Sequence, residues 1–299
     1  MIISASRRTD IPAFYAQWFI NRILTGYCTV SNPYNRKQFT HVSLQPEDVD
    51  IIVFWTRNPQ PLIPYLKELD KLGYLYYFQF TVLNNPRLID TRVPSLSTSL
   101  KIFQKLSGLI GPERVVWRYD PIVISNITGI EFHTNTYKNI AETLRNHTQR
   151  SVVSLLDIYT KLKKRLDALK DNGVEIVDYN RKFDQCYGEF MNSLADIANE
   201  NRMEIVSCAE NLDLAKYNIH PGKCIDDDYI ERVFGINVTH KKDPFQRKAC
   251  GCVVSKDIGV YNTCLFGCQY CYATNSFEQA KTLHKNHDPV FTSMINYGD

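Results

Sequence analysis

Three cysteines at the spacing C-x-x-x-C-x-x-C, Cys264, Cys268 and Cys271, are the residues of this chain best suited to chemistry. Thiolates are soft ligands that select zinc and iron–sulfur clusters. Structural zinc takes four ligands, commonly as paired C-x-x-C units, and here only Cys268 and Cys271 form such a pair. Three thiolates on one short loop suit instead a four-iron four-sulfur cluster with three cysteinyl irons and a fourth iron open. Four further cysteines could serve a second site. Cys250 and Cys252 flank Gly251, Cys208 ends a predicted strand, and Cys224 follows Pro221-Gly222-Lys223. Four thiols can ligate another iron–sulfur cluster or a zinc ion; the plainer alternative is buried packing. Cys28, inside a predicted strand, and Cys186, inside a predicted helix, are assigned to structure. His284 and His287 fall on or just after the final predicted helix and make no metal pattern.

The chain around these thiols reads as a cytoplasmic protein. Its opening Met1-Ile2-Ile3-Ser4-Ala5 has no basic region before an apolar run, so no signal peptide is predicted. No apolar run reaches the roughly 20 residues of a membrane helix. In a reducing cytosol, nine cysteines are thiols or metal ligands rather than disulfides. The formal charge of +3 is too small to argue for nucleic acid by itself. A local basic loop, Lys241, Lys242, Arg247 and Lys248, keeps that partner class open.

The elements that would position the thiols alternate between apolar strands and amphipathic helices. Strands are predicted at Ile2–Ser6, Cys28–Ser31, Asp50–Trp55, Leu75–Thr81, Arg114–Arg118, Ser151–Leu156, Glu204–Ser207 and Lys256–Tyr261, with a hairpin partner for Cys28–Ser31 at Phe39–Leu44. Helices are predicted at about 12–24, 61–72, 95–109, 131–146, 159–170, 183–199 and 277–285. This alternation predicts βα units around a parallel sheet. Seven or eight such units suggest a single (β/α) TIM-like barrel over 1–299, with a cysteine-rich segment at about 240–275 carrying the metal loop. An open doubly wound sheet is the alternative.

Each predicted strand is apolar along its length and ends in polar residues. In a parallel barrel those ends share one face, where active sites are built. Arg57, Arg118, Asp120 and Glu210 are the catalytic candidates. Single residues of this kind are often only caps or turns, and Asp10 and Asn58-Pro59 suit those roles well. Trp55, Trp117 and the run Tyr74 to Phe78 read as core.

The motif Cys264-x-x-x-Cys268-x-Tyr270-Cys271 resembles the cluster motif of the radical S-adenosylmethionine superfamily, and Gly267 to Tyr272 is most similar to spore photoproduct lyase. The resemblance implies a 4Fe-4S cluster whose open iron chelates S-adenosylmethionine. It also implies reductive cleavage to a 5′-deoxyadenosyl radical and abstraction of a substrate hydrogen. Tyr270 would lie against the adenine. Electrons would come from a small donor such as flavodoxin or ferredoxin. In that superfamily the cluster loop follows the first strand; here it follows the last, so the implied barrel is circularly permuted, with Lys256–Tyr261 pairing beside Ile2–Ser6. The usual Gly-Gly-Glu run is replaced by Ser6-Arg7-Arg8-Thr9-Asp10. Arg7, Arg8, Asp10 and Asn58 are the cofactor-binding candidates. Over most of its length the chain also resembles a bacterial family, domain of unknown function 1848. The matching residues are Ser4 to Pro12, Phe54 to Pro59 and Asp257 to Cys264.

The expected function is hydrogen abstraction by a radical S-adenosylmethionine enzyme. Two rivals are an iron–sulfur or zinc protein binding nucleic acid through the basic loop, and a metal-independent barrel hydrolase using Asp120 or Glu210.

Overall fold

The computed structural model describes every residue except 33, 34, 36, 37, 179–184 and 297–299. Its strands are β1 (Ile2–Ala5), β2 (Tyr27–Ser31), β3 (Phe39–Ser43), β4 (Ile51–Thr56), β5 (Tyr76–Thr81), β6 (Val115–Ile122), β7 (Arg150–Leu155), β8 (Glu204–Cys208), β9 (His220–Gly222) and β10 (Lys256–Asp257). The α-helices are α1 (Ile11–Phe14), α2 (Ala16–Thr25), α3 (Leu66–Lys71), α4 (Leu96–Ile110), α5 (Ile130–Leu144), α6 (Lys163–Asp171), α7 (Gln185–Glu200), α8 (Asp227–Phe234) and α9 (Phe277–Lys285). None of the described helices is long and apolar enough to cross a membrane.

Eight strands form one sheet in the order β10-β1-β4-β5-β6-β7-β8-β9, parallel at every junction. Parallel strands must be covered on both faces, and the side-chain alternation sorts this sheet into two apolar surfaces. Ile3, Phe54, Phe78, Trp117, Tyr119 and Leu155 share one core with Trp18 and Phe19 of α2, Phe103 of α4, Tyr137 of α5 and Leu194 of α7. Ile2, Val53, Tyr77, Val116, Val152 and Val206 face the other way. They pack on Cys224, Ile225, Tyr229, Val238, Cys250, Cys252 and Val253. The segment between β9 and β10 therefore plugs the second face, and two of its carbonyl contacts fix it there. Tyr77 Oη and Gln79 Nε2 both donate to the Cys224 carbonyl, at 2.8 and 2.7 Å.

The permuted pairing expected at the N-terminus is present: Ile3 pairs with Lys256 and Ser4 with Asp257. Closure of the ladder into a complete barrel is not. The edge strands β9 and β10 do not pair with one another among the described residues. The strand expected over Lys256–Tyr261 stops after two residues, because Asp257 turns its carboxylate onto the end of β1. Two further expectations need correction. Cys28–Ser31 leaves the main sheet, pairing antiparallel with β3 in a separate ribbon. Its place is taken by β9, which Pro221 hid from the strand pattern; an edge position tolerates that proline. The first predicted helix is broken at Tyr15 into α1 and α2.

Candidate functional site

Because all eight strands run the same way, their C-terminal ends meet at one edge. A cavity of about 440 Å³ opens there, lined by residues at or just after the ends of β1, β4, β5, β6, β7, β8, β9 and β10. Cys264, Cys268 and Cys271 are on its wall, and so are Cys208, Cys224 and Cys252. None of these cysteines is in a disulfide.

The triad loop is pinned from two sides. On one side Asp257 accepts from Ser4 Oγ at 3.1 Å, Ser6 Oγ at 2.6 Å, the Arg7 amide at 2.8 Å and the Gly259 amide at 2.9 Å. Gly259 sits so close to β1 that a Cβ there would lie 2.6 Å from Ser6 Cβ. On the other side the loop docks on residues 89–92. Gln269 donates its amide to the Ile89 carbonyl at 3.0 Å, and the Arg92 amide donates to the Phe266 carbonyl at 2.9 Å. Arg165 donates to the Cys271 carbonyl at 2.6 Å. Burial raises the thiols of Cys264 and Cys268, and Arg57 opposes that rise at both.

Behind the loop lies a charged network. Arg57 donates to Asp90 at 3.1 Å and to Tyr270 Oη, and Tyr270 donates to the same Asp90 oxygen at 3.2 Å. Asp90 also accepts from Asn85 at 3.0 Å and is fully buried. Asp10 ties the end of β1 to the end of β4. Its carboxylate accepts from the Ala13 amide at 3.0 Å, Thr56 Oγ1 at 2.7 Å and the Arg57 amide at 2.6 Å. Burial pushes that carboxyl up to about 7, against those donors.

Four further cysteines, Cys208, Cys224, Cys250 and Cys252, lie close together. Cys208 Sγ is 2.9 Å from Cys224 Sγ. The thiols of Cys224 and Cys250 act on neighbouring Cys252 and hold it far below the usual thiol range. Arg118 Nη1 reaches Cys224 Sγ at 2.8 Å, while its Nη2 pairs with Asp120. Trp55 lies between two guanidinium groups, Arg7 at 5.4 Å and Arg118 at 5.0 Å from its ring centroid. Among the described residues, Arg7 Nη2, Thr9 Oγ1 and Trp55 Nε1 are buried polar atoms without a partner. All three residues line the cavity, and buried polar groups of this kind are normally satisfied.

The sequence-derived candidates divide accordingly. Arg7, Asp10, Arg57, Arg118, Asp120 and Tyr270 line the cavity together with the thiols. Four candidates do not. Cys250 is buried but does not line the cavity. Arg8 turns outward over Tyr261 and the Gly259 carbonyl. Asn58 is a turn residue, accepting from the Gln60 amide. Glu210 accepts from the Leu155 amide at 2.7 Å, where burial pushes its carboxyl up to about 8. Trp55, read as core, is only half-buried and lines the cavity. Cys186, assigned to structure, is exposed on α7. Asp90, Asp257 and Arg165 were missed as site residues: Asp90 lies in a loop, Arg165 within α6 and Asp257 at the end of β10, and a lone charged residue in any of these places carries no motif of its own. Of the basic loop, Arg247 pairs with Asp157 and Lys242 donates to the Lys248 carbonyl.

A family model described as Domain of unknown function (DUF1848) matches residues 2–273. The chain belongs to this family. The match takes in both anchors of the site, from β1 to the end of the triad loop. No curated protein and no solved structure matches the chain.

Proposed function

We propose that this member of the DUF1848 family is a radical S-adenosylmethionine enzyme built on a permuted, incompletely closed barrel. The observation that carries the proposal is the meeting of three unpaired thiols with a cavity at the parallel strand ends that several charged side chains enter. The donor set fits the groups: three thiols of one loop open to the cavity, and Arg7 Nη2, Thr9 Oγ1 and Trp55 Nε1 beside them lack partners. When bound, a 4Fe-4S cluster with S-adenosylmethionine supplies one-electron cleavage of the cofactor and abstraction of a substrate hydrogen.

The protein's own residues bind and orient. Cys264, Cys268 and Cys271 hold the cluster. Arg7, with one nitrogen free, offers a guanidinium for a carboxylate. Tyr270, its hydroxyl fixed by Arg57 and Asp90, presents a ring to an aromatic base. Arg118, Asp120 and Trp55 face the substrate end. Asp10 and Arg57 keep the ends of β1 and β4 in place. A small flavodoxin- or ferredoxin-like donor would supply electrons, in the cytoplasm. The hydrolase reading is less well supported, because both Asp120 oxygens are engaged, by Arg118 and Ser154, and Glu210 does not line the cavity.

The test is reductive cleavage of S-adenosylmethionine by anaerobically reconstituted protein. 5′-Deoxyadenosine and methionine are expected from the native chain and neither from Cys268→Ala. Bound zinc without cleavage, or full cleavage by Cys268→Ala, would overturn the proposal.

A further inference from the structure

Four of the six cysteines outside the triad come from three separate stretches: the end of β8, the loop after β9, and the loop before β10. Specific geometry brings them together. Gly222 lets β9 approach β8 so closely that a Cβ there would lie 2.6 Å from Val206 Cγ2 and 3.1 Å from the Ser207 carbonyl. That approach sets Cys224 against Cys208. Val253 donates its amide to the Ile225 carbonyl at 3.2 Å, which sets Cys252 beside Cys224. Cys224, Cys250 and Cys252 are 3%, 7% and 2% exposed.

We propose that Cys208, Cys224, Cys250 and Cys252 hold a second iron–sulfur cluster, fully ligated by cysteine, in the wall of the same cavity. The surroundings suit a buried thiolate centre. Arg118 donates to Cys224 Sγ at 2.8 Å and the Ile225 amide to Cys252 Sγ at 3.4 Å. Hydrogen bonds to the sulfurs and nearby cations are what hold and tune such a cluster. Arg7 adds a second cation, with electrostatic attraction to Cys252 and Cys224.

The sulfurs do not form the compact tetrahedral group that a single zinc ion needs. Four thiolates around one zinc, at Zn–S about 2.3 Å, stand about 3.8 Å from one another. Among the described residues, the one trio of candidate ligands mutually within 4.8 Å is Asp226, Asp227 and Asp228. The four sulfurs instead run as a chain from Cys208 through Cys224 and Cys252 to Cys250. A Cys208–Cys224 disulfide is the competing use of these thiols, since the 2.9 Å separation is closer than van der Waals contact but longer than a bond of about 2.05 Å.

This inference needs neither S-adenosylmethionine nor the triad, so it can fail independently of the proposed function. The experiment uses the full-length chain with Cys264→Ser, Cys268→Ser and Cys271→Ser combined, reconstituted anaerobically with ferrous iron and sulfide. About four iron and four sulfide per chain are expected, with a brown absorbance that dithionite bleaches, against about eight of each in the native chain. Zinc, no metal, or a Cys208–Cys224 disulfide found by mass spectrometry in that variant would overturn the proposal. The converse variant, Cys250→Ser with Cys252→Ser, keeps the test decisive if the triple variant does not fold. Its iron must fall by about half relative to the native chain, and unchanged iron there would equally overturn it.

Discussion

Replacing Asp90 with alanine isolates a buried charge that the triad loop depends on. Asp90 is 0% and Arg57 13% exposed, and their closest atoms are 3.1 Å apart. At an effective dielectric of about 20, that pair attracts by about 5 kcal/mol, most of it offset by the cost of burying both ions. Alanine removes the attraction but leaves Arg57 buried, and it also takes the acceptor from Asn85 and Tyr270. Breaking one side of a buried pair costs about 3–5 kcal/mol, or a fall in melting temperature of about 10 °C for a chain of this size. Arg57→Met removes the stranded cation, so adding it to Asp90→Ala should recover about 2 kcal/mol. Urea unfolding of the anaerobically reduced native, single and double variants measures all four corners of the cycle. A loss under about 1 kcal/mol for Asp90→Ala, or additive single losses, would refute the claim that this pair holds the loop.

Other outcomes follow from single observations. His133 is buried, accepting from Tyr119 Oη at 2.7 Å on Nδ1 and donating from Nε2 to the Val123 carbonyl at 2.9 Å, and burial lowers it to about 4. The unfolded chain binds this proton first, so stability from His133 is complete above about pH 6.5 and falls by up to about 3 kcal/mol as pH drops to 4. His133→Gln should flatten that part of the urea-midpoint profile; an unchanged slope would assign the acid loss elsewhere. Gly222→Ala should cost about 1–3 kcal/mol through overpacking against Val206 and Ser207. It should also loosen iron from the second site in chelator challenge, while Gly173→Ala, with open space around it but a strained φ, should cost stability alone.

The parallel sheet was legible because its strands are buried on both faces and read as continuous apolar runs, as in Ile51–Trp55 and Tyr74–Phe78. The convergence of polar strand ends followed from parallelism alone. β9 was not legible: three residues containing a proline leave no periodicity. Arg8 and Arg7 are neighbours of the same type, and no sequence rule says that one enters the cavity while the other crosses Tyr261; the chain's turn around Asp257 decides it. Glu210 and Asn58 failed for the reason that makes strand-end residues ambiguous in general, since both satisfy nearby backbone amides. Trp55 has an apolar body suited to a core, and only its position one residue from the end of β4 brings it to the cavity.

The position of the triad loop after the last strand of the sheet raises a structural problem that Asp257 resolves. A parallel ladder requires only that β10 lie beside β1, whatever the order of the two in sequence. A two-residue strand supplies few ladder hydrogen bonds, so β10 cannot by itself hold the loop that follows it. Asp257 adds four bonds to β1 and to Gly259, two of them from backbone amides. Net contributions of about 1 kcal/mol each, more for a charged acceptor, make this one carboxylate worth more than the strand it ends. The same residue draws the Arg7 amide inward and so sets Arg7 on the cavity wall between Trp55 and Cys252. The N-terminal strand end and the C-terminal thiols thus form one rigid corner.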